Sequence, residues 1–186
     1  MDLFEALDTR ASPMKLTAPG PSPDQLERIL SAGVRAGDHG RLSPWRFRVL
    51  EGDDRSRLGE AMAQAMLAKR PDATADDLAR ESAKVARAPL IVVVSADVVR
   101  PHKVPAWEQI VTASLGAHNM MLAAHALGLG AMWKSGTPTE APEVFSALGI
   151  GPEETIVGFI YLGTIAAPGE PRNLNAQAFV RPLPPR

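Results

Sequence analysis

The stretch LIVVVSA, at residues 90–96, decides the fold class of this chain. It is an unbroken apolar run rich in β-branched residues, which favour strands over helices. A strand without polar alternation is typical of a sheet that is covered on both faces. The run therefore predicts a central strand that is buried on both sides.

Three more strands and a set of helices are predicted outward from this run. Residues 45–50 alternate apolar and arginine side chains, and short strands follow at 131–134 and 155–162. Helices are predicted at 2–9, 22–37, 56–69, 75–85, 107–127 and 141–148. The strands are too scattered for repeated βαβ units, so the pattern indicates a single α+β domain over residues 1–186.

Several local signals fix the predicted helix ends. Ser22 is an N-cap, Pro23 takes the first helical position, and Gln25 completes a capping box. Gly37 is expected to end that helix, and Gly149 to end the helix at 141–148. From about residue 166 the chain is proline-rich, which predicts an extended C-terminal arm that packs on a partner subunit.

Composition excludes several classes of protein. The net charge of −1 and the 5% aromatic content argue against a nucleic-acid-binding surface. No cysteine is present, so disulfides and thiolate chemistry are excluded. The acidic start MDLFEALDTR is unlike a secretory signal, and the apolar segment 106–132 contains polar residues expected of a buried helix. We therefore expect a cytoplasmic protein that does not enter membranes.

The loop RAGDHGRLSPWRF, at residues 35–47, carries the strongest functional signal. Gly37 and Gly40 permit backbone geometry closed to other residues, and Pro44 fixes the turn before the strand. Such a loop can present backbone N–H groups to one anionic ligand, together with the side chains of Arg35, His39 and Arg41. A purely structural role for Arg35, as a cation near a helix C-terminus, stays open.

Together with RAS at 10–12, WKSG at 133–136 and IVGFIYLGT at 156–164, this loop resembles the nitroreductase family of flavin enzymes, in its small FMN-dependent branch. The resemblance runs along nearly the whole chain. It implies a mixed, mostly antiparallel central sheet flanked by helices, in an intertwined homodimer. FMN would lie where the two subunits meet. Two interpretations stay open for the loop that contains His102 and Trp107: a packed Trp beside an exposed His, or a loop of the partner chain that borders the pocket.

The resemblance also assigns residues to the cofactors. FMN contacts are expected from Arg10, Ala11, Ser12, Arg35, His39, Trp133, Lys134, Ser135 and Gly136. Arg35 and His39 are candidates for tuning the flavin, and no residue is assigned with certainty as catalytic. Contacts to NADH or NADPH are expected from Ala123, Ala124, His125, Ala126, Leu127 and Gly128.

The sequence does not support a dinucleotide-binding fingerprint or a histidine metal site. The G-x-G within LGLGAMW, at 127–133, follows a helix and lacks the third glycine of a dinucleotide fingerprint. His118 and His125 stand two helical turns apart, about 10 Å, so one metal ion cannot bind both. We therefore expect no metal site.

The implied activity is transfer of hydride from NAD(P)H to an electron-poor acceptor, such as a nitroaromatic or a quinone, by a ping-pong mechanism. Two other classes stay open. A flavin-binding sensor or carrier would bind FMN without NAD(P)H turnover, and a structural α+β dimer would bind no flavin.

Overall fold

The computed structural model describes residues 1–183. Its helices are α1 (Leu3–Thr9), α2 (Pro23–Gly33), α3 (Gly52–Lys69), α4 (Ala75–Ser82), α5 (Ala106–Ala126) and α6 (Pro142–Leu148). Its strands are β1 (Lys15–Thr17), β2 (Trp45–Leu50), β3 (Leu90–Asp97), β4 (Gly130–Lys134) and β5 (Glu154–Ala167). Short 3-10 turns cover Ala83–Arg87, Thr137–Glu140 and Ala176–Phe179.

The strands form one sheet in which all the pairings are antiparallel within the described residues. β3 lies between β2 and β5, and every residue from Leu90 to Ala96 is buried. β5 also pairs with β4 and, at its C-terminal end, with β1. The predicted fold class is therefore confirmed, with the 90–96 run in the interior of the sheet.

Helices cover both faces of the sheet. Val92 and Val94 pack in one cluster with residues of α2 and α5, such as Ile29 and Met120. Ile91 and Val93 point to the other face, because side chains alternate along a strand. There they meet residues of α3 and α6. No helix within residues 1–183 is both long enough and apolar enough to cross a membrane.

The predicted caps of α2 and α6 are present. Ser22 and Gln25 form the capping box of α2, with Pro23 in its first turn. Gly149 adopts φ 60° after α6, the left-handed conformation that favours glycine at a helix end.

Four predicted boundaries were wrong. α2 ends at Gly33 rather than Gly37. The backbones of α2 and α5 lie close together at this point, because a Cβ on Gly116 would lie 2.9 Å from the Gly33 carbonyl oxygen. α3 begins at Gly52 and not at residue 56. The sequence pattern did not indicate this start, because Glu51 supplies no side-chain cap. α4 ends at Ser82, and the chain continues to Arg87 as a 3-10 turn. β5 runs on from residue 162 to Ala167 because its last residues pair with β1.

The C-terminal arm is exposed. Residues 170–183 are exposed throughout and contain only the 3-10 turn Ala176–Phe179. Leu174, Phe179 and Val180 turn apolar side chains to solvent. The last three residues of the predicted arm, 184–186, lie outside the described residues.

Candidate functional site

Arg10 is the most unusual residue of the candidate site. It follows α1 directly, and its Nη1 is buried without a hydrogen-bond partner among residues 1–183. A buried donor without an acceptor costs about 1–3 kcal/mol, more when it is charged. An anionic group of a ligand would satisfy this donor.

The segment that carries Arg10 is fixed by the end of β5. The backbone N–H of Met14 donates to the Ala167 carbonyl oxygen at 2.9 Å. A Cβ on Gly169 would overlap the carbonyl oxygen of Ser12, so the chain beyond β5 passes directly over this segment. The position of Ser12 therefore depends on residues more than 150 positions away in the sequence.

His125, near the C-terminal end of α5, lies beside this segment. The Thr9 hydroxyl donates to the Glu5 carbonyl oxygen at 2.6 Å, so it accepts from His125 Nε2 at 2.8 Å. Burial lowers the pKa of His125, and the positive charge of Arg10 lowers it further. The lowered pKa favours the neutral imidazole, in which Nε2 carries the proton donated to Thr9 and Nδ1 is an acceptor.

The segment predicted to contact the nicotinamide cofactor is only partly accessible. Ala124 is fully buried in the core, whereas Ala126 and Gly128 are exposed. Ala123 and Ala126 line a cavity of about 370 Å³ between α1, α2 and α5. Arg35 lines the same cavity, so the structure brings it to the predicted nicotinamide segment.

The rest of the 35–47 loop is attached to the first half of α5. His39 Nδ1 lies 2.6 Å from Glu108 Oε2, and the Thr112 hydroxyl donates to the Gly37 carbonyl oxygen at 3.2 Å. The Asp38 carboxylate accepts from the backbone N–H of Ser43 at 2.7 Å and closes the loop. His39 is thus held by Glu108 with its other ring nitrogen free for a ligand.

The WKSG turn follows β4. The Trp133 indole N–H donates to the Val157 carbonyl oxygen at 3.2 Å, and a Cβ on Gly158 would overlap the ring. The indole therefore packs on β5 and uses its N–H within the sheet. Only the backbone of Trp133 is left to contact a ligand. Lys134 and Ser135 are exposed, and Gly136 turns the chain with φ 105°.

These predicted residues form two groups within one chain. Lys134 shares a cavity of about 280 Å³ with Met14 and Lys15, so the WKSG turn lies close to the Arg10–Ser12 segment. His39 is held at Glu108, whereas Arg10 lies by His125. Seventeen residues of α5 separate those two points, which is about 25 Å along the helix. One chain alone cannot bring His39 and Arg10 to the same small ligand.

Sequence reasoning missed a group of basic residues beside Ser135. A cavity of about 400 Å³ is lined by Met62, Met66, Lys69, Arg70, Glu81, Lys84, Ser135, Thr137 and Pro138. A smaller cavity of about 150 Å³ adjoins it and adds Arg87, Lys134 and Tyr161. The cations come from separate elements and form no linear motif. Their signal in the sequence is only a scatter of basic residues over the helices at 52–87.

Comparison with known proteins agrees with this fold. The sequence profile of the Nitroreductase family matches residues 7–164. A candidate NAD(P)H nitroreductase of Escherichia coli (strain K12), YdjA, is 44% identical over 164 residues, covering 88% of both chains. A second candidate NAD(P)H nitroreductase, from Haemophilus influenzae, is 34% identical over 165 residues, covering 88% of this chain and 89% of that protein.

Solved structures show the same architecture. A nitroreductase-like family protein from Bacillus cereus superposes with a TM-score of 0.81 at 22% identity, covering 98% of this chain and 96% of that one. A candidate nitroreductase from Desulfovibrio desulfuricans, solved in complex with FMN, gives a TM-score of 0.76 at 26% identity, covering 97% of each chain. The chain belongs to the nitroreductase family, a class of oxidoreductases.

Proposed function

We propose that this protein is an FMN-dependent oxidoreductase that takes hydride from NADH or NADPH and reduces an electron-poor acceptor, such as a nitroaromatic or a quinone. The Nη1 of Arg10 carries this proposal, because it is buried without a hydrogen-bond partner among residues 1–183 and an FMN phosphate would supply one. The FMN complex of the Desulfovibrio desulfuricans relative supports the choice of cofactor.

In this proposal the chain's residues bind and orient the cofactor. Arg10 and Ser12 would hold the phosphate through charge-assisted hydrogen bonds, with Ala11 between them. The backbone of Trp133, Lys134, Ser135 and Gly136 would border the flavin ring. FMN, when bound, supplies the redox chemistry: it accepts hydride from the nicotinamide and passes the electron pair to the acceptor in a second, ping-pong half-reaction.

The remaining contacts require a second copy of the chain. Because His39 lies about 25 Å along α5 from Arg10, we propose a homodimer in which one subunit supplies Arg10 and its partner supplies His39. A cation at Arg35 would stabilise the electron-rich reduced ring. Each chain would form one domain over residues 1–186, with its arm from about 166 packed on the other subunit.

The nicotinamide cofactor is assigned to the last turn of α5. Of the predicted residues, Ala123 and Ala126 line the cavity that Arg35 also borders, and Ala126 is exposed. The nicotinamide ring would thus reach the flavin from the side of Arg35.

The visible spectrum of the purified protein, supplied with FMN, tests the proposal. We expect flavin absorption that stays with the protein through gel filtration, bleaches on anaerobic addition of NADPH or NADH, and returns on addition of a quinone. Protein that binds no FMN would overturn the proposal. Flavin that is bound but not bleached would instead indicate a sensor or carrier.

A further inference from the structure

We propose that the two adjoining cavities beside Ser135, here called the basic cavity, bind the anionic group of an aromatic electron acceptor. Negatively charged acceptors would then be the preferred substrate class. This inference rests on the proposed function, because it places the acceptor next to the flavin that the WKSG turn would border.

Charge is the first argument. Five cationic side chains and one carboxylate line the basic cavity, in a chain whose net charge is −1. They are Lys69, Arg70, Lys84, Arg87, Lys134 and Glu81. A surface concavity with one dominant sign of charge raises the local concentration of ligands of the opposite sign.

Ion pairing within the protein leaves an excess of positive charge in the basic cavity. Lys84 is bound to Glu81 at 2.5 Å, and Arg70 lies 3.7 Å from Asp77. Lys69, Arg87 and Lys134 form no ion pair with any residue of the 1–183 range. An anionic ligand would therefore meet cations that the protein itself does not neutralise.

Shape is the second argument. The larger cavity, about 400 Å³, lies within the size range of small-molecule sites. Met62, Met66 and Pro138 add apolar surface to the lining beside the cations. Methionine adapts its shape and contacts aromatic rings favourably. A flat apolar body with one carboxylate or sulfonate group fits this mixed lining.

Position is the third argument. Lys134 and Ser135 belong to the WKSG turn and also line the basic cavity. A ligand held there would lie at the edge of the ring that this turn borders. The 2′-phosphate of NADPH carries the same anionic chemistry, so the experiment has to separate acceptor from donor.

The test compares 4-nitrobenzoate with 4-nitrobenzamide, which have nearly the same shape but differ in charge. For the FMN-loaded wild type we expect a larger kcat/KM with the carboxylate. Removing two cations, in Lys69→Gln/Arg87→Gln, should lower kcat/KM for the carboxylate about tenfold and leave the amide unchanged. Arg28→Gln, which removes an exposed cation from α2, is the matched control.

Two further measurements identify the other outcomes. Anaerobic reduction by NADPH and by NADH should be the same in the double variant and in wild type; a change confined to NADPH would assign the cavity to the donor and overturn the proposal. Weaker FMN binding with unchanged discrimination between the acceptors would assign it to the cofactor and also overturn it. Calorimetric binding of 4-nitrobenzoate gives a readout without turnover: binding that is lost in the double variant supports the site even in a protein that does not oxidise NAD(P)H.

Discussion

At the scale of single residues, Arg10 shows how a short motif becomes a site. The tripeptide at 10–12 identified Arg10 as a candidate. Its Nη1 is buried and lacks a hydrogen-bond partner among residues 1–183, and no local sequence pattern reveals that burial. The neighbours of this segment come from distant parts of the chain: Arg10 lies close enough to His125 on α5 to lower its pKa, and Gly169 beyond β5 passes over Ser12. A long-range contact of this kind has no signal in a single sequence.

Arg10→Met should weaken FMN binding about 10- to 100-fold, since a hydrogen bond to a charged group contributes about 1.5–3 kcal/mol and each factor of ten is about 1.4 kcal/mol. Riboflavin lacks the phosphate, so its affinity should not change. Fluorescence titration of both flavins measures the two affinities. Arg28→Met is the control for removal of a surface charge. An equal loss for riboflavin and FMN would contradict the phosphate assignment.

At the scale of elements, a network around Arg48 joins β2, β5 and the end of α6. Arg48 donates to both carboxylate oxygens of Glu154, at 2.8 and 2.7 Å, and to the Leu148 carbonyl oxygen at 3.1 Å. The Ser95 hydroxyl donates to the same carboxylate at 2.6 Å. The Arg48 guanidinium is the main cause that lowers the pKa of Glu154 from 4.5 to about 2, assisted by Ser95 and the backbone N–H of Gly151.

Glu154→Gln should lower the free energy of unfolding at pH 7 by about 2 kcal/mol, because it removes the charge from a partly buried ion pair. A carboxyl whose pKa is depressed by folding stabilises the folded state above its unfolded pKa. The difference from wild type should therefore be constant above about pH 5 and shrink as the pH falls from 4.5 toward 2. Urea unfolding at a fixed protein concentration measures it, with Glu27→Gln on α2 as control. A difference that does not depend on pH would contradict the ionic origin.

The same network shows how far elements can be predicted. The alternation at 45–50 predicted β2, which the structure confirms. It gave no partner for Arg48, because Glu154 is more than 100 residues away. β1, three residues long, was missed, since it exists only through its pairing with β5. Periodicity in the sequence identifies helices and strands that are amphipathic. It does not identify a short strand such as β1, which forms only by pairing with another strand.

At the scale of the whole molecule, one chain leaves large apolar side chains of α1 and α5 exposed to solvent. Trp107, Val111 and Leu115 follow one another at four-residue steps on α5, and Trp107 is 63% exposed. Phe4 on α1 is 74% exposed, with Leu3 and Leu7 beside it. Contiguous exposed apolar surface of this kind marks protein interfaces. The apolar sequence of α5 predicted a buried helix, and the chain by itself buries only part of it.

Leu115→Arg should therefore separate the proposed dimer and release FMN in the same step, because a charge in an apolar interface is costly and a single chain cannot hold both Arg10 and His39 at one ligand. Leu67→Arg is the matched control: Leu67 lies on α3 with 42% exposure, against 46% for Leu115. Sedimentation equilibrium gives the mass of each variant, and flavin absorbance of the same samples gives occupancy. We expect monomers without FMN for Leu115→Arg, and flavin-loaded dimers for Leu67→Arg. A monomer that retains FMN at wild-type affinity would show that one subunit suffices for the site, and His39 would then have no place in it.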